Sequence, residues 1–126
     1  MTLLPTDAKE RKETPIVTGV LDYFPKAIAE IARVSLAGNR QHFPPGTPLH
    51  WDRSKSTDDA DALGRHLLER GKIDSDGIRH SAKAAWRALA ILERELESLV
   101  PFPGDRSRVI ASNSGTPPNS GLSSFK

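Results

Sequence analysis

The residues best suited to chemistry are acids, histidines and cations lying between Glu30 and Arg87. Asp58 and Asp61 are three positions apart, so on a helix their carboxylates share one side. Such a pair can hold a divalent cation. The plain alternative is a helix cap and dipole partner, plus an Asp61–Arg65 ion pair. Asp74 and Asp76 stand just before a long helical segment, where capping needs only one of them. Glu30 has apolar neighbours on a helix, and a carboxylate there calls for a partner or a metal. His66 and His80 fall on helical segments without an HExxH context, so a hydrogen-bonded structural role competes with a contact role. Asp76, His80, Lys83, Arg87 and Arg94 recur on one helical face. That face is either the solvated side of an amphipathic helix or an anion-binding wall built on Lys83 and Arg87. Trp51, on a loop, is better placed than Trp86 to stack on a planar ligand, although a core role suits both.

Composition narrows the class of protein that carries these groups. The chain has 126 residues, 37% hydrophobic and 27% charged, as in an ordinary globular protein. Its net charge of +2 comes from 18 basic residues interleaved with 16 acidic ones, which argues against sequence-specific nucleic-acid binding. Cysteine is absent, which excludes disulfides and thiolate metal sites and suits a reducing compartment. No apolar run approaches the ~20 residues of a membrane span, and the N-terminus has no signal-peptide core. These features predict a cytoplasmic protein with no membrane partner.

The elements that must position the site follow from periodicity. Residues 1–15 are polar and charged and read as a flexible arm. Ile16 to Leu21 is a short β-branched run, a strand or an extended segment packed on helices. A first helix begins at Phe24-Pro25 and stops at Gly38-Asn39. Arg40 to Lys55, with Pro44-Pro45-Gly46 and Pro48, is a long ordered loop anchored by Phe43, Leu49 and Trp51. A second helix is capped by Ser56 or Thr57, runs to Arg70 and ends at Gly71. A third runs from after Asp74 or Ser75 to about Val100, with Ile78, Ala82, Ala85, Leu89, Leu92, Leu96 and Leu99 stepping by four and three. Ala84, Ala88 and Ile91 widen that apolar arc, which predicts a second contact across a subunit interface and hence a homo-oligomer. From Pro101 the chain is rich in Pro, Gly, Ser and Asn, with six serines between Ser107 and Ser124, and reads as a disordered tail over 101–126. The expected fold is all-α: a small bundle of about three helices over 16–100 with one long internal loop.

Two stretches carry a family likeness. His50-Trp-Asp-Arg-Ser-Lys-Ser-Thr-Asp-Asp-Ala-Asp-Ala-Leu-Gly-Arg-His-Leu and Gly71-Lys-Ile-Asp-Ser-Asp-Gly-Ile-Arg-His resemble the central part of the phage-type dATP/dGTP diphosphohydrolase family. The likeness spans about Glu30 to Glu97 and includes Glu30-Ile-Ala-Arg-Val, the loop from Gly38 to Trp51, Arg65-His66, and the acidic turn from Asp74 to His80. The resemblance implies an all-α fold related to the MazG-like pyrophosphohydrolases, usually oligomeric. It also implies Mg²⁺- or Mn²⁺-dependent cleavage of a purine deoxynucleoside triphosphate to monophosphate and pyrophosphate. On that reading the metal ligands come from Glu30, Asp58, Asp61, Asp74 and Asp76. Lys83, Arg87, Arg65 and Trp51 bind the nucleotide, and His66 and His80 act at the reacting groups.

The chain departs from the pattern in three places. Arg33 stands where a second glutamate of an ExxE motif belongs, and Lys83 and Arg87 occupy positions that are often His and Asp. Added cations and fewer acids keep an alternative open, a non-catalytic protein that binds or sequesters a nucleotide.

Overall fold

The computed structural model describes residues 4–55 and 57–99. The expectation for 101–126 lies outside the described residues, as does the capping role of Ser56. Among the described residues there are four α-helices and one π-helical turn, and the only β-pairing is an isolated bridge between Ile73 and Arg79. The all-α expectation holds, with one helix more than the expected three.

The chain divides into two compact units, with a boundary inside the last helix after Ile91. In one unit, the described residues are 4–15 and 92–99. The extra helix, α1 (Ala8–Lys12), lies here in the expected arm. Asp7 caps it by accepting from the Glu10 N–H at 3.1 Å, and the Lys9–Glu13 ion pair lies one turn apart at 2.8 Å. Leu99 is the buried apolar residue of this unit.

The other unit, Ile16–Ile91, carries every candidate site residue except Arg94. Ile16 to Leu21 is helical rather than extended. Val17–Leu21 forms a π-helical turn closed by the Asp22 N–H donating to the Val17 carbonyl at 2.8 Å. Helix α2 (Pro25–His42) begins with Pro25 in its first turn, where the missing N–H costs nothing. It passes the expected stop at Gly38-Asn39 and runs to His42. Asn39 is buried there, and its amide donates to the Thr47 carbonyl at 3.0 Å, so a tertiary contact holds the helical turn that propensity would end. The loop beyond turns at Pro44–Thr47 with Gly46 at φ 89°, a conformation open to glycine.

Helix α3 (Asp59–Leu68) starts after Asp58, one residue later than a Thr57 cap allows, and ends two residues before Arg70. A tight turn then leads to helix α4 (His80–Glu97), which begins at His80 instead of Ser75 or Asp76. The turn is closed by Asp74 N–H to the Ile78 carbonyl (2.9 Å), Gly77 N–H to the Asp74 carbonyl (2.9 Å) and His80 N–H to the Lys72 carbonyl (3.1 Å). Gly77 has φ 83°, with open space where a Cβ would project. A Gly77→Ala substitution therefore meets backbone strain only, and we expect it to destabilise the protein by about 1–2 kcal/mol. Urea denaturation measures this directly.

The core of this unit is built mainly from small residues: Ala62, Ile78, Ala82, Ala84 and Ala90 are buried. The seam expected along α4 is covered at Ile78 and Ala82, whereas Leu89 and Leu92 are half exposed. No helix among the described residues is long and apolar enough to cross a membrane.

Candidate active site

The turn at 73–79 places two carboxylates against the first turns of α4. Asp74 splits its oxygens: Oδ1 accepts from the Ser75 N–H at 2.7 Å, and Oδ2 lies 2.7 Å from the Lys83 ammonium. Asp76 Oδ1 accepts from the Ile78 N–H at 3.1 Å, and its Oδ2 is 2.8 Å from the same ammonium. Lys83 thus bridges both acids. Its hydrogen bond, then that of Ser75, holds the Asp74 carboxyl at about 2, and Lys83 likewise lowers Asp76. For Lys83 itself, burial opposes the charge, but the two carboxylates outweigh it and raise its pKa.

The histidines meet on the other side of Asp74. His66 from α3 and His80 from α4 approach with their Nδ1 atoms 2.9 Å apart, so one ring must donate and the other accept. His80 Nε2 is 3.9 Å from Asp74 Oδ1. One ligand atom from each of His66, Asp74 and His80 can be chosen so that all lie within 4.8 Å of one another. Two imidazoles and a carboxylate at this separation fit a single transition-metal ion.

Burial, then the charge of His80, pushes the His66 imidazole below its ordinary value of 6.5. The fold therefore favours the neutral ring. Its contribution to stability is full above pH 6.5 and is lost as the pH falls below that value. The expected result is a denaturant midpoint that drops on acidification from about pH 7 to about pH 5, and drops less in a His66→Gln variant.

A cavity of about 510 Å³ opens beside this cluster, and His66, Asp76, Lys83 and Arg87 line it. Phe43, Leu49 and Trp51 from the loop line it too, together with the loop's His50, Asp52 and Lys55 and with Asn39 and Ser35 from α2. Arg87 is steadied by Asp59 at 2.7 Å, and Asp59 is buried. Trp86 donates from its indole to the Ser35 hydroxyl at 2.8 Å and meets the Trp51 ring edge-to-face at 5.5 Å. These contacts tie α4 to α2 and to the loop.

The expected site residues separate into two sets. His66, Asp76, Lys83, Arg87 and Trp51 line the cavity, and Asp74 and His80 adjoin it through His66 and Lys83. Glu30, Asp58, Asp61 and Arg65 do not line it. Glu30 pairs with Arg33 at 2.9 Å on α2. Arg65 pairs with Asp58 at 3.0 Å, where spacing alone pointed to Asp61, and Asp61 is exposed. Asp76 precedes α4 instead of sharing its face, and Arg94 falls in the other unit. Asp59 and Asn39 escaped sequence reasoning. Asp59 sits in an acidic run that helix-dipole arguments absorb, and Asn39 looked like a helix stop.

Comparison with known families gives a match to dATP/dGTP diphosphohydrolase, N-terminal, over residues 5–99, well over half of the chain. The chain belongs to this family. The matched region contains both the acidic turn and the two histidines, so the cavity lies within the part shared with other dATP/dGTP diphosphohydrolase N-terminal regions. No curated protein and no solved structure matches the chain.

Proposed function

We propose that this chain hydrolyses purine deoxynucleoside triphosphates to the monophosphate and pyrophosphate, using a divalent metal ion such as Mn²⁺ held by His66, Asp74 and His80. The observation that carries this reading is the convergence of those three side chains within 4.8 Å beside a cavity lined by Lys83 and Arg87. The name of the matching family, dATP/dGTP diphosphohydrolase, N-terminal, supports this choice of substrate class.

The charges explain why a metal suits the site. Two carboxylates, Asp74 and Asp76, against one ammonium leave the cluster with one negative charge, which repels a polyphosphate. A divalent ion reverses that sign and lowers the pKa of a bound water toward neutrality. Lys83 has three N–H donors; two serve the carboxylates, and the third can reach a phosphate oxygen in the cavity it lines. Arg87, fixed by Asp59, offers a planar fork for the same anion. Phe43 and Trp51, which also line the cavity, offer ring surface for a flat base, with Arg53 already stacked 3.9 Å from the centre of the Trp51 ring.

The test is to incubate purified protein with each deoxynucleoside triphosphate and Mn²⁺ and to resolve the products by chromatography. Pyrophosphate and dAMP or dGMP support hydrolysis. The engagement of both carboxylates by Lys83 favours a second reading, a non-catalytic nucleotide binder, for which tight binding with unaltered nucleotide is the signature.

We also propose that the chain acts as a homo-oligomer, because Leu89 and Leu92 leave half of their surface exposed along one helix. A Leu89→Glu, Leu92→Glu double variant is expected to reduce the mass measured by light scattering to that of one chain. An unchanged mass contradicts the role of this face.

A further inference from the structure

We infer that Lys83 is a built-in cation that withholds Asp74 and Asp76 from hard divalent ions, so that this centre selects metals that accept imidazole and rejects Mg²⁺. The inference rests on the reading of His66, Asp74 and His80 as a metal centre and names the selectivity of that centre.

The geometry is that of an ammonium seated where a bridging metal would draw two carboxylates together. Lys83 Nζ is 2.7 Å from Asp74 Oδ2 and 2.8 Å from Asp76 Oδ2, and only 17% of its side chain is exposed. Both oxygens are hydrogen-bonded to a cation that belongs to the chain. Elsewhere in the same unit, Glu30 is held by Arg33, Asp58 by Arg65 and Asp59 by Arg87. Asp74 and Asp76 beside the cavity, and these three acids elsewhere in the unit, are thus each already paired with a cation.

Mg²⁺ demands near-octahedral oxygen ligands at about 2.0–2.1 Å and gives up water reluctantly. To gain two carboxylates here it must displace Lys83 from both. What remains on offer is nitrogen-rich: the two imidazoles and Asp74 Oδ1, the oxygen that faces His80 at 3.9 Å. Imidazole suits transition ions such as Co²⁺ and Zn²⁺, with Mn²⁺ the weakest binder of its series. Lys83 is therefore a specificity residue for the metal in addition to any contact it makes with phosphate.

The test is metal titration of the full chain without nucleotide, followed by calorimetry for Mg²⁺ and by the visible spectrum for Co²⁺. Wild-type protein is expected to bind Co²⁺ at least ~10-fold more tightly than Mg²⁺, a difference of about 1.4 kcal/mol. A Lys83→Met variant is expected to gain at least ~10-fold in Mg²⁺ affinity, the same ~1.4 kcal/mol. Lys83→Arg, which keeps the charge, is expected to gain nothing. Where circular dichroism shows the Met variant unfolded, Lys83→Gln carries the same comparison. Equal affinity of the wild type for the two metals, or no gain of Mg²⁺ affinity on losing the ammonium, overturns the inference. Nucleotide turnover is a separate readout: its absence alongside the expected metal selectivity removes the hydrolase reading and leaves this one standing.

Discussion

Replacing His80 with alanine is expected to lower Mn²⁺-dependent pyrophosphate release from dATP by about 100-fold or more, since even residues that only support a metal ligand cost 10–100-fold. His80 is the hinge of the cluster. It is the first residue of α4, hydrogen-bonded through its backbone to Lys72 at 3.1 Å and through its ring to His66 at 2.9 Å, and it faces Asp74. Its removal takes one of three candidate ligands and leaves His66 without the ring that orients it. The side chain is mostly covered but not a filler of the core, so the helical circular dichroism spectrum should survive. Loss of turnover with the fold retained is the expected pattern. Turnover within about twofold of wild type places the chemistry elsewhere.

The largest effect on stability is expected at Arg87. Its guanidinium lies 2.7 Å from Asp59, whose side chain is only 8% exposed. Removing the guanidinium takes a charged partner from a buried carboxylate, at a cost of up to about 3–5 kcal/mol. Arg87→Met should therefore lower the thermal midpoint markedly, a loss that is a large part of the stability of a small domain. An Asp59→Asn, Arg87→Met double variant should recover much of the loss, because the buried negative charge is gone as well. The pair also positions Arg87 on the cavity wall, so the double variant tests function apart from folding: stability returns while nucleotide affinity does not.

The relation between sequence and structure is uneven along the chain, for physical reasons. Helical periodicity from Ile78 onward is strong enough to identify α4, although the chain covers its apolar arc only in part, leaving Leu89 and Leu92 half exposed. Where the helix begins is set by something periodicity does not see, the short backbone bridge between Ile73 and Arg79 that holds 74–79 as a turn. Asp76 therefore leaves the helical face on which spacing put it. Gly38-Asn39 looks like a stop by propensity, and a single side-chain hydrogen bond to Thr47 overrides it. Ile16 to Leu21 has the β-branched composition of a strand, but no neighbouring strand exists among the described residues to pair with it.

For the site, the order of acids and histidines was legible, and which of them converge was not. Lys83 could be read as an anion contact from its face of α4. Its position between Asp74 and Asp76 depends on how tightly the preceding turn folds, which spacing alone does not fix. Asp58 looked available because sequence does not show that Arg65, seven positions on, lies within reach of it, whereas the Glu30–Arg33 pair is one that i,i+3 spacing allows. Asp59 was the reverse case, an acid in a helix first turn that owes its burial to a cation 28 positions away.

The central claim is that His66, Asp74 and His80 bind one metal that serves a nucleotide in the adjoining cavity. Its most direct measurement is the product analysis of dATP and dGTP incubated with the full chain and Mn²⁺, with and without a chelator. The monophosphate and pyrophosphate in equal amounts, both abolished by the chelator, are the expected result. Nucleotide returned intact, or a diphosphate with inorganic phosphate, contradicts it.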